Sequence, residues 1–184
     1  MKKGLITLIF CGLTCIAKSQ NSSVEKSIYG VQIGYLGVWL HNELRLSDQI
    51  VLRSELGLDG DYWNSRFTGS NYTLEPVITL EPRWYYNLDN RVSKSKSIDG
   101  NSGNFFSLKT SYQPEWFLIS DVDFFGVERQ ISMVPTWGIR RNIGNYFTYE
   151  AGIGIGILYR RISQFDLEDV LPAVNLHLRI GYRF

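Results

Sequence analysis

The two histidines of the chain are its first candidates for catalysis. His41 lies two positions before Glu43, and on a strand this spacing puts both side chains on one face. A carboxylate beside an imidazole can orient a general base, so this pair would support lipid hydrolysis or acyl transfer. No serine lies at a spacing that makes a nucleophile obvious. His177 is expected to point inward beside Arg179 as a structural histidine, and we predict that the protein is not an enzyme.

Metal ligands are also scarce. The two histidines are far apart, and Cys11 and Cys15 lie in a segment predicted to be removed, so no transition-metal ligand set remains. Carboxylates suit hard cations such as calcium. The chain has two acidic clusters, Asp121 with Asp123, and Asp166 with Glu168 and Asp169. Acidic loops are more often simply solvated, so we predict no metal and no cofactor.

Residues 1–20 have the pattern of a secretory signal peptide. Two lysines precede an apolar run from Leu5 to Ala17, and small and polar residues follow it. The run is shorter than the roughly 20 residues that a helix needs to span a bilayer. We predict cleavage near Gln20, which leaves residues 21–184 as one domain without cysteine and therefore without disulfides.

The composition excludes disorder and makes nucleic acid a poor partner. Of the 184 residues, 44% are hydrophobic and 14% are aromatic, which is ample for a folded core. The 19 basic and 18 acidic residues give a formal charge of +1, and removal of Lys2, Lys3 and Lys18 leaves 16 basic and 18 acidic ones. Neither balance provides the basic surface that nucleic acid requires.

Apolar and polar residues alternate with period two over most of the chain. From Val174 to Phe184 the alternation is unbroken, and residues at i, i+2 and i+4 share a face only in a strand. The same rule predicts eight strands, at 28–36, 37–46, 49–60, 75–86, 104–116, 129–140, 145–159 and 170–184. Most have the roughly 9 to 11 residues of a tilted membrane strand. We predict an all-β, eight-stranded antiparallel up-and-down transmembrane β-barrel.

Glycines and prolines interrupt the pattern in some predicted strands. The seventh strand carries three glycines on its polar face, where they leave room for bulky side chains from across a narrow interior: Gly152, Gly154 and Gly156. Three prolines lie inside predicted strands: Pro82, Pro114 and Pro135. Each removes a ladder hydrogen bond that lipid cannot replace, so we expect a bulge or an earlier strand end at each.

Alternation alone does not decide which face points inward. The polar face of the predicted strands carries twelve charged residues of both signs: Glu43, Arg45, Arg53, Glu55, Glu81, Arg83, Lys109, Glu115, Arg140, Glu150, Arg179 and Arg183. In a soluble lipocalin-like carrier these residues would form the wet exterior. In a membrane barrel they would form an ionic network in the interior, because buried charges persist only in pairs.

The aromatic residues of the apolar face favour the membrane barrel. Such a barrel gathers aromatics at both ends of that face and leaves the middle aliphatic. At the end shared with the C-terminus lie Tyr29, Trp84, Tyr86, Phe106, Trp137, Phe147, Tyr149, Tyr182 and Phe184, and at the other end lie Tyr35, Trp39, Tyr112, Trp116 and Tyr159. The core of a lipocalin-like carrier gives no reason for two such belts.

The last strand ends in Phe184, with Tyr182 two positions before it and apolar residues at every second position upstream. This ending resembles the assembly signal of Gram-negative outer-membrane β-barrels. The segments YYNLDNRVSKSKSIDGNSGNFFSL and LRSELGLDG resemble small, porin-like outer-membrane proteins of the Bacteroidetes type. The resemblance implies a monomer in outer-membrane lipid, inserted by the barrel-assembly machinery through its C-terminal strand, and it implies no catalytic residues.

The predicted function follows from the size of the barrel and from its outer loops. Side chains fill the interior of an eight-stranded barrel, so a structural or surface-recognition role is expected rather than an open general pore. Loops on a rigid scaffold commonly carry recognition, and the loop at 61–73 has residues typical of binding hot spots: Tyr62, Trp63, Arg66, Phe67 and Tyr72. Packing at the membrane interface explains them as well. The alternatives are a narrow-pore transporter, a soluble lipocalin-like carrier and a lipid-modifying barrel enzyme with His41 near the outer rim.

Overall fold

The computed structural model describes residues 22–35, 37–65, 69–120, 129–162 and 167–184. About three quarters of these residues lie in strands. The strands are β1 (Ser27–Gly34), β2 (Gly37–Arg45), β3 (Ile50–Ser65), β4 (Gly69–Trp84), β5 (Gly103–Gln113), β6 (Ile119–Ser120), β7 (Arg129–Ile143), β8 (Phe147–Ile162) and β9 (Leu167–Arg183). A short helix, α1 (Leu88–Ser93), and a 3-10 helix (Asp99–Asn101) lie between β4 and β5.

Eight of these strands form a closed antiparallel ring. Their order is β3, β2, β1, β9, β8, β7, β5, β4, and the pairing of β3 with β4 closes the ring. Strands that follow each other in the chain are therefore neighbours, apart from β6, a two-residue strand that pairs with the outer part of β4. The predicted all-β, eight-stranded antiparallel arrangement is confirmed.

The β3–β4 hairpin is longer than predicted. Strand pairing continues from Ile50 opposite Trp84 as far as Ser65 opposite Gly69. Most of the predicted loop at 61–73 is thus strand, because the backbone pairing persists where the apolar and polar alternation of the sequence has faded. Tyr62 and Tyr72 are direct pairing partners across the two strands.

Side chains alternate between a buried inner face and an exposed outer face of the ring. On β9, Leu178 is 68% exposed whereas Arg179 is 4% exposed. Trp39 departs from the prediction, since it was expected in an outer aromatic belt and is instead buried. On β2 it shares a face with His41 and Glu43, so the period of the strand turns it inward, and the guanidinium of Arg179 lies 3.8 Å from the centre of its ring.

One end of the ring, called here the terminal end, is closed by an apolar cluster. The first residue of β1, the last residue of β9 and the β2–β3, β4–β5 and β7–β8 links all lie there. The terminal cluster consists of five buried side chains, with Ile98 packed against them: Val24, Val51, Tyr85, Leu88 and Phe105. The segment before β1 and the helical β4–β5 link therefore fold under the ring and block its interior.

The prolines are accommodated by gaps in the ladder rather than by bulges. Pro114 lies just beyond the end of β5, but Pro82 and Pro135 remain inside β4 and β7. Next to each of these two, the pairing skips two residues and resumes in the same register, on the β5 side of Pro82 and on the β8 side of Pro135. A proline has no amide proton to donate, and each gap lies where that donor is missing. The expected bulges at these two positions are therefore absent.

Two glycines of β8 make room for different kinds of neighbouring group. A Cβ on Gly152 would lie 2.4 Å from Cε1 of His177, so this glycine makes room for a side chain. A Cβ on Gly156 would lie 2.0 Å from the carbonyl oxygen of Met133, so that glycine allows the backbone of β7 to approach.

Leu88→Ala is expected to lower the free energy of unfolding by about 2 to 5 kcal/mol, because it leaves a cavity in the terminal cluster. Val92→Ala, on the exposed side of the same helix, is the matched control and should change it by less than about 0.5 kcal/mol. Urea titration followed by tryptophan fluorescence measures both. Equal losses in the two variants would contradict a supporting role for the cluster.

Candidate functional site

The inner face of the ring gathers charged side chains from six strands. Eight of the twelve charged residues predicted for the interior meet there, and all eight are buried: Glu43, Arg53, Glu55, Glu81, Arg83, Arg140, Glu150 and Arg179. These eight residues are called the ionic network below. It follows the terminal cluster along the axis of the ring, since Arg83 lies 4.3 Å from the centre of the Phe105 ring.

Glu43 is the hub on one side of the ionic network. Its Oε1 accepts hydrogen bonds from Nη1 of Arg53 at 3.0 Å and from Nη1 of Arg140. Its Oε2 accepts a hydrogen bond from Nδ2 of Asn101 at 2.7 Å and lies 3.4 Å from the Tyr85 hydroxyl. Burial and the Glu43 carboxylate raise the pKa of Tyr85 to about 12, so this hydroxyl keeps its proton and donates it.

Arg83 joins two further carboxylates. Its guanidinium binds Glu150 through two hydrogen bonds, from Nη1 to Oε2 at 2.9 Å and from Nη2 to Oε1 at 2.8 Å. The same Nη2 donates to Oε2 of Glu81 at 2.7 Å, and Oε1 of Glu81 accepts from Ser107 Oγ at 2.6 Å. This bidentate arrangement is the strong form of an arginine–carboxylate pair.

Glu55 completes the ionic network. Both of its carboxylate oxygens accept from Nη1 of Arg179, at 3.1 and 3.0 Å, and Oε1 also accepts from Nε of Arg53. Nη2 of Arg53 donates to Oε1 of Gln32 at 2.6 Å. The ionic network thus contains four arginines and four glutamates, so its formal charge is zero. Buried charges require this mutual pairing.

Four of the twelve predicted interior charges lie outside the ionic network. Glu115 follows the end of β5, because Pro114 ends that strand. Arg183 lies at the terminal end, where it donates to Glu25 at 3.0 Å and to the carbonyl oxygen of Asn145 at 2.9 Å. Arg45 is half-buried at the last position of β2 and has no ion pair among the residues that the structure describes. Lys109 faces the cavity described below.

Neither histidine forms a catalytic arrangement with the described residues. His41 was expected near the outer rim but is buried inside the ring, and neither ring nitrogen has a hydrogen-bond partner in the described part of the chain. The arginines bound to Glu43 engage the carboxylate that was expected to orient it. Nδ1 of His177 lies 3.2 Å from Oδ1 of Asn175, and its Nε2 lies 3.4 Å from Oε1 of Glu150.

The predicted outer-loop residues are only partly described. Tyr62 and Trp63 lie on β3 and Tyr72 is exposed on β4, whereas Arg66 and Phe67 lie outside the described residues. The acidic residues at 121, 123 and 166 also lie outside them. Glu168 and Asp169 lie on β9, and Asp169 accepts from Arg160 at 3.2 Å. Within the described ranges, no group of three potential metal ligands comes together.

A cavity of about 630 Å³ lies beyond the ionic network, at the end of the ring opposite the terminal end. Trp39, His177 and Arg179 are among its lining residues, next to the ionic network, and polar residues of β5, β7 and β9 line its wall. Beside the cavity, the wall of the ring is short. Gly34 is the last β1 residue that pairs with β9, opposite Arg179, while β9 continues to Leu167. The cavity was not predicted from the sequence, in which the short β1–β2 hairpin is its signal.

Comparison with known protein families, curated proteins and solved structures found no match. Among the described residues, no helix has the length and apolar character to cross a membrane.

Arg83→Met should lower the free energy of unfolding by about 3 to 5 kcal/mol, because it leaves Glu150 and Glu81 buried with fewer compensating charges. Arg129→Met, at an exposed position on β7, is the control and should have little effect. Adding Glu150→Gln to Arg83→Met should recover part of the loss. Urea titration is the measurement, and equal stability of the Arg83 and Arg129 variants would disprove the role of the pairing.

Proposed function

We propose that the chain is an outer-membrane β-barrel with a polar, plugged interior and a structural or surface-recognition role. The observation that carries the proposal is the distribution of side chains across the wall of the ring. Aliphatic residues point outward and are exposed, for example Ile155 at 72% and Leu178 at 68%, whereas the ionic network lies inside. A water-soluble protein has the opposite distribution, and lipid is the surrounding that such an outer face fits.

The exposed aromatic residues support the same proposal. Around the terminal end, large aromatic side chains point outward: Tyr29, Trp84, Phe106, Trp137, Tyr146, Phe147, Tyr182 and Phe184. Several contact one another, as Tyr182 does with Tyr146, Phe147 and Phe184 at ring distances of 5.8, 5.4 and 5.7 Å. Tyr35 and Trp116 are exposed at the other end. Aromatic girdles of this kind suit the two interfaces of a bilayer.

The interior supports a plugged barrel over an open pore. The terminal cluster and the ionic network follow each other along the axis of the ring, and both consist of buried, mutually packed side chains. A soluble lipocalin-like carrier would need an apolar interior, which a core of four arginines and four glutamates does not supply. The cavity ends on the ionic network, so the described interior gives no support to a narrow-pore transporter.

Export and assembly belong to the same proposal. Residues 1–20 would direct secretion, and the barrel-assembly machinery would insert the chain through β9, with Tyr182 and Phe184 as the assembly signal. Both aromatic side chains are exposed on the outer face. The extended β3–β4 hairpin, with Tyr72 exposed, is the surface proposed for recognition.

Refolding the chain from residue 21 to residue 184 in detergent micelles and in plain buffer tests the membrane environment. We expect a compact form in micelles whose gel mobility changes on boiling, and aggregation in plain buffer, because the outer face is apolar. A soluble monomer in plain buffer would overturn the proposal.

Leu178→Arg should destabilise the barrel in lipid by about 2 to 4 kcal/mol, because it places a charge at mid-height on the lipid-facing surface. Ile143→Arg introduces the same charge at the terminal end of β7, where the expected cost is only about 0 to 1 kcal/mol. For both variants, the measurement is the fraction of protein in vesicles whose gel mobility changes on boiling. Equal yields of the two folded variants would contradict surroundings that are apolar at mid-height of the barrel and more polar at its end.

A further inference from the structure

The cavity holds a cation that forms no salt bridge with any of the described residues. Lys109 lies on the inner face of β5 and lines the cavity. It makes no hydrogen bond and no ion pair with any other residue, as far as the structure describes the chain. The ionic network beside it is neutral, and Asp59, Glu55 and Glu81 act on Lys109 only from beyond salt-bridge distance. A cation without a salt bridge in the interior of the ring is costly, and an anion in the cavity would lower that cost.

Arg179 offers a second positive group to the same cavity. Both hydrogen bonds that it donates within the described residues leave from Nη1 and reach Glu55. Its guanidinium rests on Trp39, which fixes the plane of the group. Its remaining nitrogen atoms form no hydrogen bond in the described structure, and Nε is buried. Arg179 thus keeps donors available at the floor of the cavity.

The nearby carboxylates are already engaged. Glu55 is shared between Arg179 and Arg53. Asp59, the acidic residue of the cavity wall, acts on Lys109 electrostatically without forming a salt bridge with it. His177 is held between Asn175 and Glu150. None of these groups compensates Lys109 at ion-pair distance.

The remaining wall carries neutral polar groups next to apolar residues such as Val134, Leu158 and Pro172. Ser111, Gln113, Gln130 and Ser132 come from β5 and β7, and Asn175 comes from β9. Hydroxyl and amide groups both donate and accept hydrogen bonds, so they suit a ligand rich in hydroxyls. The volume of about 630 Å³ lies within the usual range for small-molecule sites.

We infer that the cavity binds a small anionic polyhydroxylated ligand, of the class of sugar acids, with its acidic group between Lys109 and Arg179. Such a ligand brings a negative charge within reach of Lys109 and Arg179 and uses the hydroxyl and amide groups of the wall. The inference deepens the proposed recognition role and moves it from the hairpin to the interior of the ring. It rests on the proposed function in one respect, which is that the chain is folded in detergent micelles.

Calorimetric titration of the full chain folded in detergent micelles, with D-glucuronate as the probe and D-glucose as its neutral counterpart, tests the site. We expect D-glucuronate to bind and D-glucose to give no measurable heat. Lys109→Gln should weaken D-glucuronate binding by about tenfold or more, since it removes a charged hydrogen-bond donor. Lys96→Gln, on the exposed β4–β5 link, is the matched control and should bind like the parent chain.

Ser132→Asp keeps Lys109 but places a carboxylate on the same wall of the cavity, and it should also weaken D-glucuronate binding. Heat-modifiable gel mobility shows that each variant is folded. Equal binding by the Lys109 variant and its control, or equal binding of D-glucose, would overturn the site. A folded parent chain that binds neither sugar would also overturn the site, and it would leave the outer-membrane proposal intact. A chain that is soluble in plain buffer would overturn the outer-membrane proposal and leave the site to be tested in that buffer.

Discussion

The mutual neutralisation of four arginines and four glutamates is the constraint on which the rest of the ring depends. Their side chains come from β2, β3, β4, β7, β8 and β9, so each strand must present its charge at the right height. A shift of one residue along any strand turns its whole inner face outward. It would expose a charge to the surroundings of the ring and leave its partners buried without compensation. The ionic network thereby specifies the register of the sheet.

The two ends of the ring serve different purposes around this centre. At the terminal end, the segment before β1 and the β4–β5 link fold inward and fill the interior with apolar side chains. At the opposite end, the short β1–β2 hairpin leaves the wall low beside β9, and the cavity reaches down to the ionic network. Among the described residues, the interior is open at the end opposite the terminal end and filled at the terminal end. This asymmetry suits a binding cup better than a channel.

Much of the architecture was predictable from the period of the sequence. Alternation from Val174 to Phe184 identified β9, and the same rule found all eight strands of the ring to within a few residues at most ends. The longer β3–β4 hairpin escaped it, because pairing there does not depend on an apolar face. The helix α1 escaped it as well, since six residues in a polar link carry too little periodicity to stand out.

The candidate site was less predictable than the fold. The residue types on the inner face were readable, but their partners depend on strand register, which no single strand encodes. Trp39 and His41 show this limit, because both were placed at the rim and both lie inside. Lys109 shows it most clearly. That it forms no salt bridge with the described residues becomes visible only once the arginines and glutamates have been matched across the ring.

The contacts of Arg179 also bear on how the chain folds. Arg179 and Glu55 are 124 positions apart, and β9 must pair with β1 to join the two ends of the sheet. Contacts between such distant segments form late and slowly. Until β9 arrives, Glu55 lacks the cation that binds both of its oxygens. Closure of the sheet and completion of charge pairing therefore depend on the same strand, and a chain that lacks it keeps an open edge and an incompletely paired interior at the same time.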